Sequence, residues 1–188
     1  MSYPTKTDRE SILAAAIAEV ESGDSEHLAI RSVAGRLGLA PNALYHYFDN
    51  LAALEEAVSE SVRLQILEGM QKVAGKKGPA ETLLAISWTY LQFAIEHPRL
   101  FSYTLKPSIT GRQTLQCARS SEFFFRQVVR LYGEKRASVA TQSILAYLRG
   151  LAASRHAEML SYEQIRSSFK FGMQIWIADA QASPKKSN

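Results

Sequence analysis

"RSVAGRLGLAPNALYHYFDN", Arg31–Asn50, is the stretch that decides the fold. Ile30, Val33, Ala34 and Leu37 fall at i, i+3, i+4 and i+7, the period of one helical face. Gly38 follows, and glycine closes helices in the left-handed conformation. Pro41 suits the first turn of a next helix, predicted to be six or seven residues long. Leu44 and Phe48 are four apart and share a face, so the same spacing turns Asn42, Ala43, Tyr45 and His46 outward. Tyr47 falls between the two faces. Two short helices joined by a glycine turn form the helix-turn-helix pattern. Its second helix can enter a major groove, where side chains reach base edges and hydroxyls and amides reach phosphates.

Outward from this stretch the periodicity stays helical, and no alternating strand pattern appears. A first helix is expected from Thr7-Asp-Arg-Glu10, which has capping-box spacing, to a stop at Gly23. Its apolar face is Ile12, Leu13, Ala16, Ile17 and Val20. Asp49-Asn50 breaks the chain before a long helix over about 51–73. "AGKKGP" (74–79) reads as the main joint. The next helix is apolar on several faces and stops at His97-Pro98. "RLFSYTL" makes a short helix, residues 107–111 break the chain, and a helix over about 114–132 ends at Gly133. Two long helices close the chain, at about 134–159 and from a second capping box at Ser161–Gln164 to about 181. The tail "SPKKSN" is expected to be disordered. The fold class is therefore all-α: a three-helix helix-turn-helix domain (1–51), a C-terminal helical bundle (52–182) and a tail (183–188), with about nine helices in all.

Composition narrows the function. The chain has 188 residues, 46% of them hydrophobic, enough for a sizeable core. No apolar run reaches the ~18 residues that span a bilayer. The first twenty residues lack the pattern of a secretion signal. Cys117 is the single cysteine, which excludes an internal disulfide and fits a reducing, cytoplasmic setting. The net charge of +4 is unevenly spread. Residues 1–75 carry six Lys/Arg and eleven Asp/Glu, a net of −5; residues 76–188 carry sixteen and seven, a net of +9. The helix-turn-helix lies in the acidic part, so DNA binding must rest on local geometry and not on overall charge. His27, His46, His97 and His156 are scattered without metal-ligand spacing, and no phosphate-cradling or nucleophile motif is present. No metal, no cofactor and no enzymatic activity are expected.

"LAIRSVAGRLGLAPNALYHYFDNLAALEEAV" (28–58) resembles the DNA-binding signature of the TetR family of transcriptional regulators, through G-L-x-P-x-x-L-Y-x-x-F at residues 38–48. "HPRLFSYTL" (97–105) resembles a stretch common in that family's C-terminal domains. The resemblance implies a homodimer that binds double-stranded DNA, represses, and is released by a small-molecule effector. Tyr45, His46, Asn42 and Ala43 are then the recognition-helix contacts, with Arg31 and Ser32 on the preceding helix and Lys6 and Arg9 as an N-terminal arm. Ala29 and Ala40 stand where the family has Thr and Ser, and Leu51 where it has Lys. These changes remove two hydroxyl caps and a phosphate contact, and they predict weak nonspecific DNA binding with a shallow salt dependence. Arg31, Ser32 and Arg36, on or near the polar face of the second helix, are candidates to compensate.

The aromatic residues Trp88, Phe93, Phe101, Tyr103 and Phe124 are candidates to line a pocket for a mostly apolar or aromatic effector. An aromatic stripe at helical spacing is more often plain core. In the last two helices Leu145, Leu148 and Ala152 recur on one side and Phe169, Met173 and Trp176 on the other, which suggests a four-helix subunit interface. The alternative function is a small-molecule binding bundle whose degenerate helix-turn-helix no longer binds DNA.

Overall fold

The computed structural model describes residues 7–22, 28–75, 77–106 and 115–182, with backbone alone for 115–118. Lys6, Gly23, His27, the break at 107–111, Arg112, the Cys117 side chain and the tail lie outside the described residues or side chains. Among the described residues there are nine helices and no strand. They are α1 (Arg9–Ser22), α2 (Ile30–Arg36), α3 (Pro41–Leu44), α4 (Leu51–Ala74), α5 (Pro79–Glu96), α6 (Pro98–Leu105), α7 (Leu115–Tyr132), α8 (Glu134–His156) and α9 (Tyr162–Ala182). The all-α architecture is as the periodicity predicts.

Backbone contacts divide the chain into two compact units, Met1–Val62 with Arg99–Thr114, and Arg63–Pro98 with Leu115–Asn188. The turn at 74–79, read from sequence as the main joint, lies inside the second unit. Gly and Lys end a helix there, but they do not end a core.

In the first unit Ile12, Ala16 and Val20 of α1, Val33 and Ala34 of α2, Leu44 and Phe48 after it, and Leu54, Val58 and Val62 of α4 are all buried, with α2 packed on α1 and α3. The start of α1 differs from expectation. The reciprocal cap joins Asp8 and Ser11, not Thr7 and Glu10: the Ser11 amide donates to Asp8 Oδ1 at 2.8 Å, and the Asp8 amide donates to Ser11 Oγ at 3.0 Å. These bonds hold the Asp8 carboxyl below its usual range. An ionised carboxylate is the stronger acceptor for an orphan amide, so Asp8 displaces its threonine neighbour as the cap. The second capping box forms as predicted, with the Ser161 amide on Gln164 Oε1 at 2.8 Å and the Gln164 amide on Ser161 Oγ at 3.3 Å.

In the second unit α8 packs on α5 and α7, and α9 on α7 and α8. Tyr132 donates to the Trp176 carbonyl at 2.6 Å, and burial pushes its hydroxyl up to about 12, so it stays a donor at neutral pH. Four of the six residues expected at the subunit interface are placed otherwise. Leu148, Ala152, Phe169 and Met173 are buried inside the single chain, and Leu145 and Trp176 are half-buried. A side chain with no accessible surface cannot touch a second copy. Those four residues of the stripe pack within the chain.

Gly172 shows how close that packing is. A Cβ there would lie 2.6 Å from the Tyr147 ring. The ring cannot swing away freely, because its hydroxyl donates to the Ser168 carbonyl and its edge meets Trp176 at 5.0 Å between centroids. Gly172→Ala is therefore expected to destabilise the protein by about 1–3 kcal/mol in chemical denaturation, the usual cost of overpacking. Adding Tyr147→Leu should recover most of that loss.

Candidate nucleic-acid interface

Local rules build the helix-turn-helix. Gly38 has φ +66°, the left-handed region open to glycine. The Leu39 amide bonds to the Ala34 carbonyl at 2.9 Å and the Gly38 amide to the Gly35 carbonyl at 3.2 Å. This pair is the Schellman closure of α2. Pro41 opens α3. The α-helical part of α3 is four residues, shorter than the six or seven expected. Tyr45, His46 and Tyr47 continue it by i→i−3 bonds to Asn42, Ala43 and Leu44 at 3.3, 3.4 and 3.0 Å. The tighter winding leaves Leu44 and Phe48 on the buried side, 0% and 2% exposed.

The outward side is as the spacing predicts. Tyr45 is 48% exposed, and Asn42 and His46 are exposed with it, while Ala43 is half-buried. On α2, Arg31 and Ser32 are exposed. Ala29 and Ala40 occupy the N-cap positions of α2 and α3, and neither helix has a side-chain cap.

Two arginines are placed otherwise than a free arm or face would place them. Arg9 donates from Nη1 to the Tyr47 carbonyl at 3.3 Å, and its guanidinium lies 4.4 Å from the Phe48 ring centroid. Tyr47 answers by donating its hydroxyl to the Thr7 carbonyl at 2.8 Å. Together they strap the start of α1 to the end of the α3 turn. Arg36 pairs with Glu19 and donates to Ser22, so α1 claims one of the three residues expected to compensate for the lost contacts. Arg31 is then the exposed cation that remains on α2.

Sequence reasoning misses the role of Tyr103. Its hydroxyl accepts the Leu28 amide at 3.2 Å, and its carbonyl accepts Ser59 Oγ at 2.9 Å. Lys106 lies 3.9 Å from the Tyr103 ring centroid and pairs with Glu55 at 3.1 Å. Burial raises the pKa of the hydroxyl. One side chain of α6 thus anchors the chain entering the helix-turn-helix. Its position in "HPRLFSYTL" carries no local sign of that partner.

The five effector candidates are divided between the two units. Phe101 and Tyr103 are buried in the first unit. In the second, Phe124 is buried, Phe93 stacks on His97 at 4.8 Å between centroids, and Trp88 lines an open groove. No group of three or more His, Cys, Asp or Glu among the described residues could hold a metal ion. No helix among them is long and apolar enough to cross a membrane.

No protein-family model matches the chain. The HTH-type transcriptional regulator Rv0681 of Mycobacterium tuberculosis is 28% identical over 111 residues, 59% of this chain and 51% of that protein. The chain thus matches about half the length of this curated relative. Among solved structures, the transcriptional regulator SCO7222, a TetR from Streptomyces coelicolor, is 19% identical with a TM-score of 0.74, over 94% of this chain and 98% of that one. A TetR variant from Acinetobacter baumannii AYE in complex with minocycline is 19% identical with a TM-score of 0.69, over 94% and 98%. The likeness in structure runs nearly end to end. The chain has the all-α fold of the TetR-family transcriptional regulators.

Proposed function

We propose that the protein is a DNA-binding transcriptional repressor that acts as a homodimer in the cytoplasm and is released by a small effector. The observation that carries the reading is the split of α3 and its turn. Leu44 and Phe48 are locked in the core while Tyr45, His46 and Asn42 face solvent. An exposed aromatic and amide, on a rigidly seated stub after a Schellman turn, suit a major groove better than they suit water. Residues 1–51 carry the DNA contacts and 52–182 the effector and dimer functions. Arg31 and Ser32 contribute phosphate contacts from α2.

Tyr45→Ala is expected to weaken operator binding by about tenfold to a hundredfold in a gel shift, the range of one good contact, with unchanged helical content. Retained affinity in that variant would remove Tyr45 from the interface.

The dimer reading moves to the outward faces of α8 and α9. On α8, Val139, Ser143, Ala146, Gly150 and Ala153 recur at steps of four and three, and all are exposed. On α9, Phe171, Ile175 and Ala178 follow the same steps and are exposed. Small side chains on one helix and two large apolar ones on the other suit close knobs-into-holes packing. Two recognition segments held about 34–36 Å apart would then meet successive major grooves of a near-palindromic site.

An effector is supported by two buried hydroxyls. Ser87 Oγ and Thr141 Oγ1 in the second unit have no hydrogen-bond partner, and such atoms call for a ligand or water. The minocycline complex of the A. baumannii protein shows that this fold can hold a small molecule. The uncapped α2 and α3 favour the second reading, a binding bundle that has lost DNA. Selection of bound sequences from random duplexes separates the two, since recovery of no preferred sequence would leave only the bundle.

A further inference from the structure

α5 and α9 present facing stripes that neither the DNA reading nor the dimer seam uses. On α5, Glu81, Leu84, Ala85 and Trp88 follow at i, i+3, i+4 and i+7; on α9, Tyr162, Arg166, Phe169 and Lys170 follow at i, i+4, i+7 and i+8. Between them lies an open groove of about 510 Å³, to which Lys77 adds one more wall. That volume is in the range of small-molecule sites.

The groove combines an aromatic floor with a cationic rim. The Trp88 ring meets Phe169 at 5.0 Å and stands edge-on to Tyr162 at 6.3 Å. Leu84 is left 37% exposed beside them. Lys77, Arg166 and Lys170 supply three positive charges against one from Glu81, a net of +2. None of the three cations has an ion pair or side-chain hydrogen bond with a described residue. Elsewhere Arg126 of α7 pairs with Glu122 and Arg136 of α8 with Asp179.

We infer that this groove is a binding site for a planar aromatic carboxylate. A cation is repelled by the rim, and a neutral hydrocarbon leaves the rim unused. A small inorganic anion has nothing to cover Trp88 and Leu84. An aromatic ring lies against the apolar floor, and its carboxylate meets the guanidinium fork of Arg166, which matches it two bonds to two. The site stays open in the proposed dimer. Phe171 and Ile175 lie roughly half a turn of α9 away from Arg166 and Lys170.

The test uses the full-length protein without DNA, with 2-naphthoate as probe and 2-naphthylmethanol as its uncharged counterpart, measured by calorimetry. Trp176→Phe leaves Trp88 as the single tryptophan, so its quenching reports the same event. Naphthoate should bind roughly tenfold or more tightly than the alcohol. Arg166→Gln with Lys170→Gln should remove that advantage and leave the alcohol unchanged. Glu81→Gln should tighten naphthoate, the opposite sign. All three side chains are exposed, so the variants fold. No binding, equal binding of acid and alcohol, or naphthoate affinity indifferent to both charge changes would each overturn the assignment. None of these results bears on operator binding, which fails or holds separately.

Discussion

Phe171→Glu combined with Ile175→Glu is expected to turn the protein into a folded monomer. Both side chains are largely in water in the single chain, 68% and 54% exposed, so the fold does not depend on them. Across a two-fold seam the two substitutions place four carboxylates together, none with a partner, and desolvating them costs several kcal/mol. The consequence for DNA is larger than for any single contact. A dimer that seats one recognition segment gains the second at high effective concentration, an advantage of about 10²–10⁴. Sedimentation should show half the mass, and gel shifts should show operator affinity reduced by about that factor. Leu148→Ala is the contrast, because Leu148 is fully buried within the chain. It should lower stability by about 2–5 kcal/mol and leave the mass of the surviving folded particle unchanged. If the double glutamate variant keeps its full mass, the seam lies elsewhere.

The second large effect is expected from Phe48→Ala. Phe48 is 2% exposed, in a core that small side chains such as Ala16, Val33 and Ala34 share. Truncation removes the ring that Arg9 covers and opens a void that short neighbours cannot refill. The cost is about 3–5 kcal/mol, comparable to the whole stability of a domain this small. Thermal unfolding followed by circular dichroism should then show an early, partial loss of helix, with the second unit, which holds α5 and α7–α9, melting later. Operator binding should vanish. One sharp transition at the original temperature would show that Phe48 is not a keystone of the first unit.

What the sequence could disclose depended on how local each signal was. The α2–α3 turn was legible because its causes sit within ten residues: a glycine at positive φ, a proline at a helix start, and two apolar residues four apart. The Ser161–Gln164 cap was legible for the same reason. At α1 the spacing rule chose the wrong pair, since two overlapping caps were possible and the charge of Asp8 decided between them. The apolar stripes of α8 and α9 were also visible, yet periodicity names a covered face without naming what covers it. The cover is α5 and α7 of the same chain. Of the outward residues in the proposed seam, Ser143 and Ala146 are too small to register as hydrophobic. The strap from Arg9 and the clasp from Tyr103 were out of reach, because their partners lie 38 and 75 residues away.

That clasp bears on how the molecule can be cut and recombined. The recognition unit is discontinuous: it closes only when a helix from far down the chain supplies Tyr103 to Leu28 and Ser59. A truncation after Val62 would leave a buried amide and a hydroxyl without their acceptors, and an empty space the size of a tyrosine. Chimaeras that graft this reading head onto another regulator must therefore carry residues 98–105 as well. The head is not a cassette that ends where the fourth helix begins.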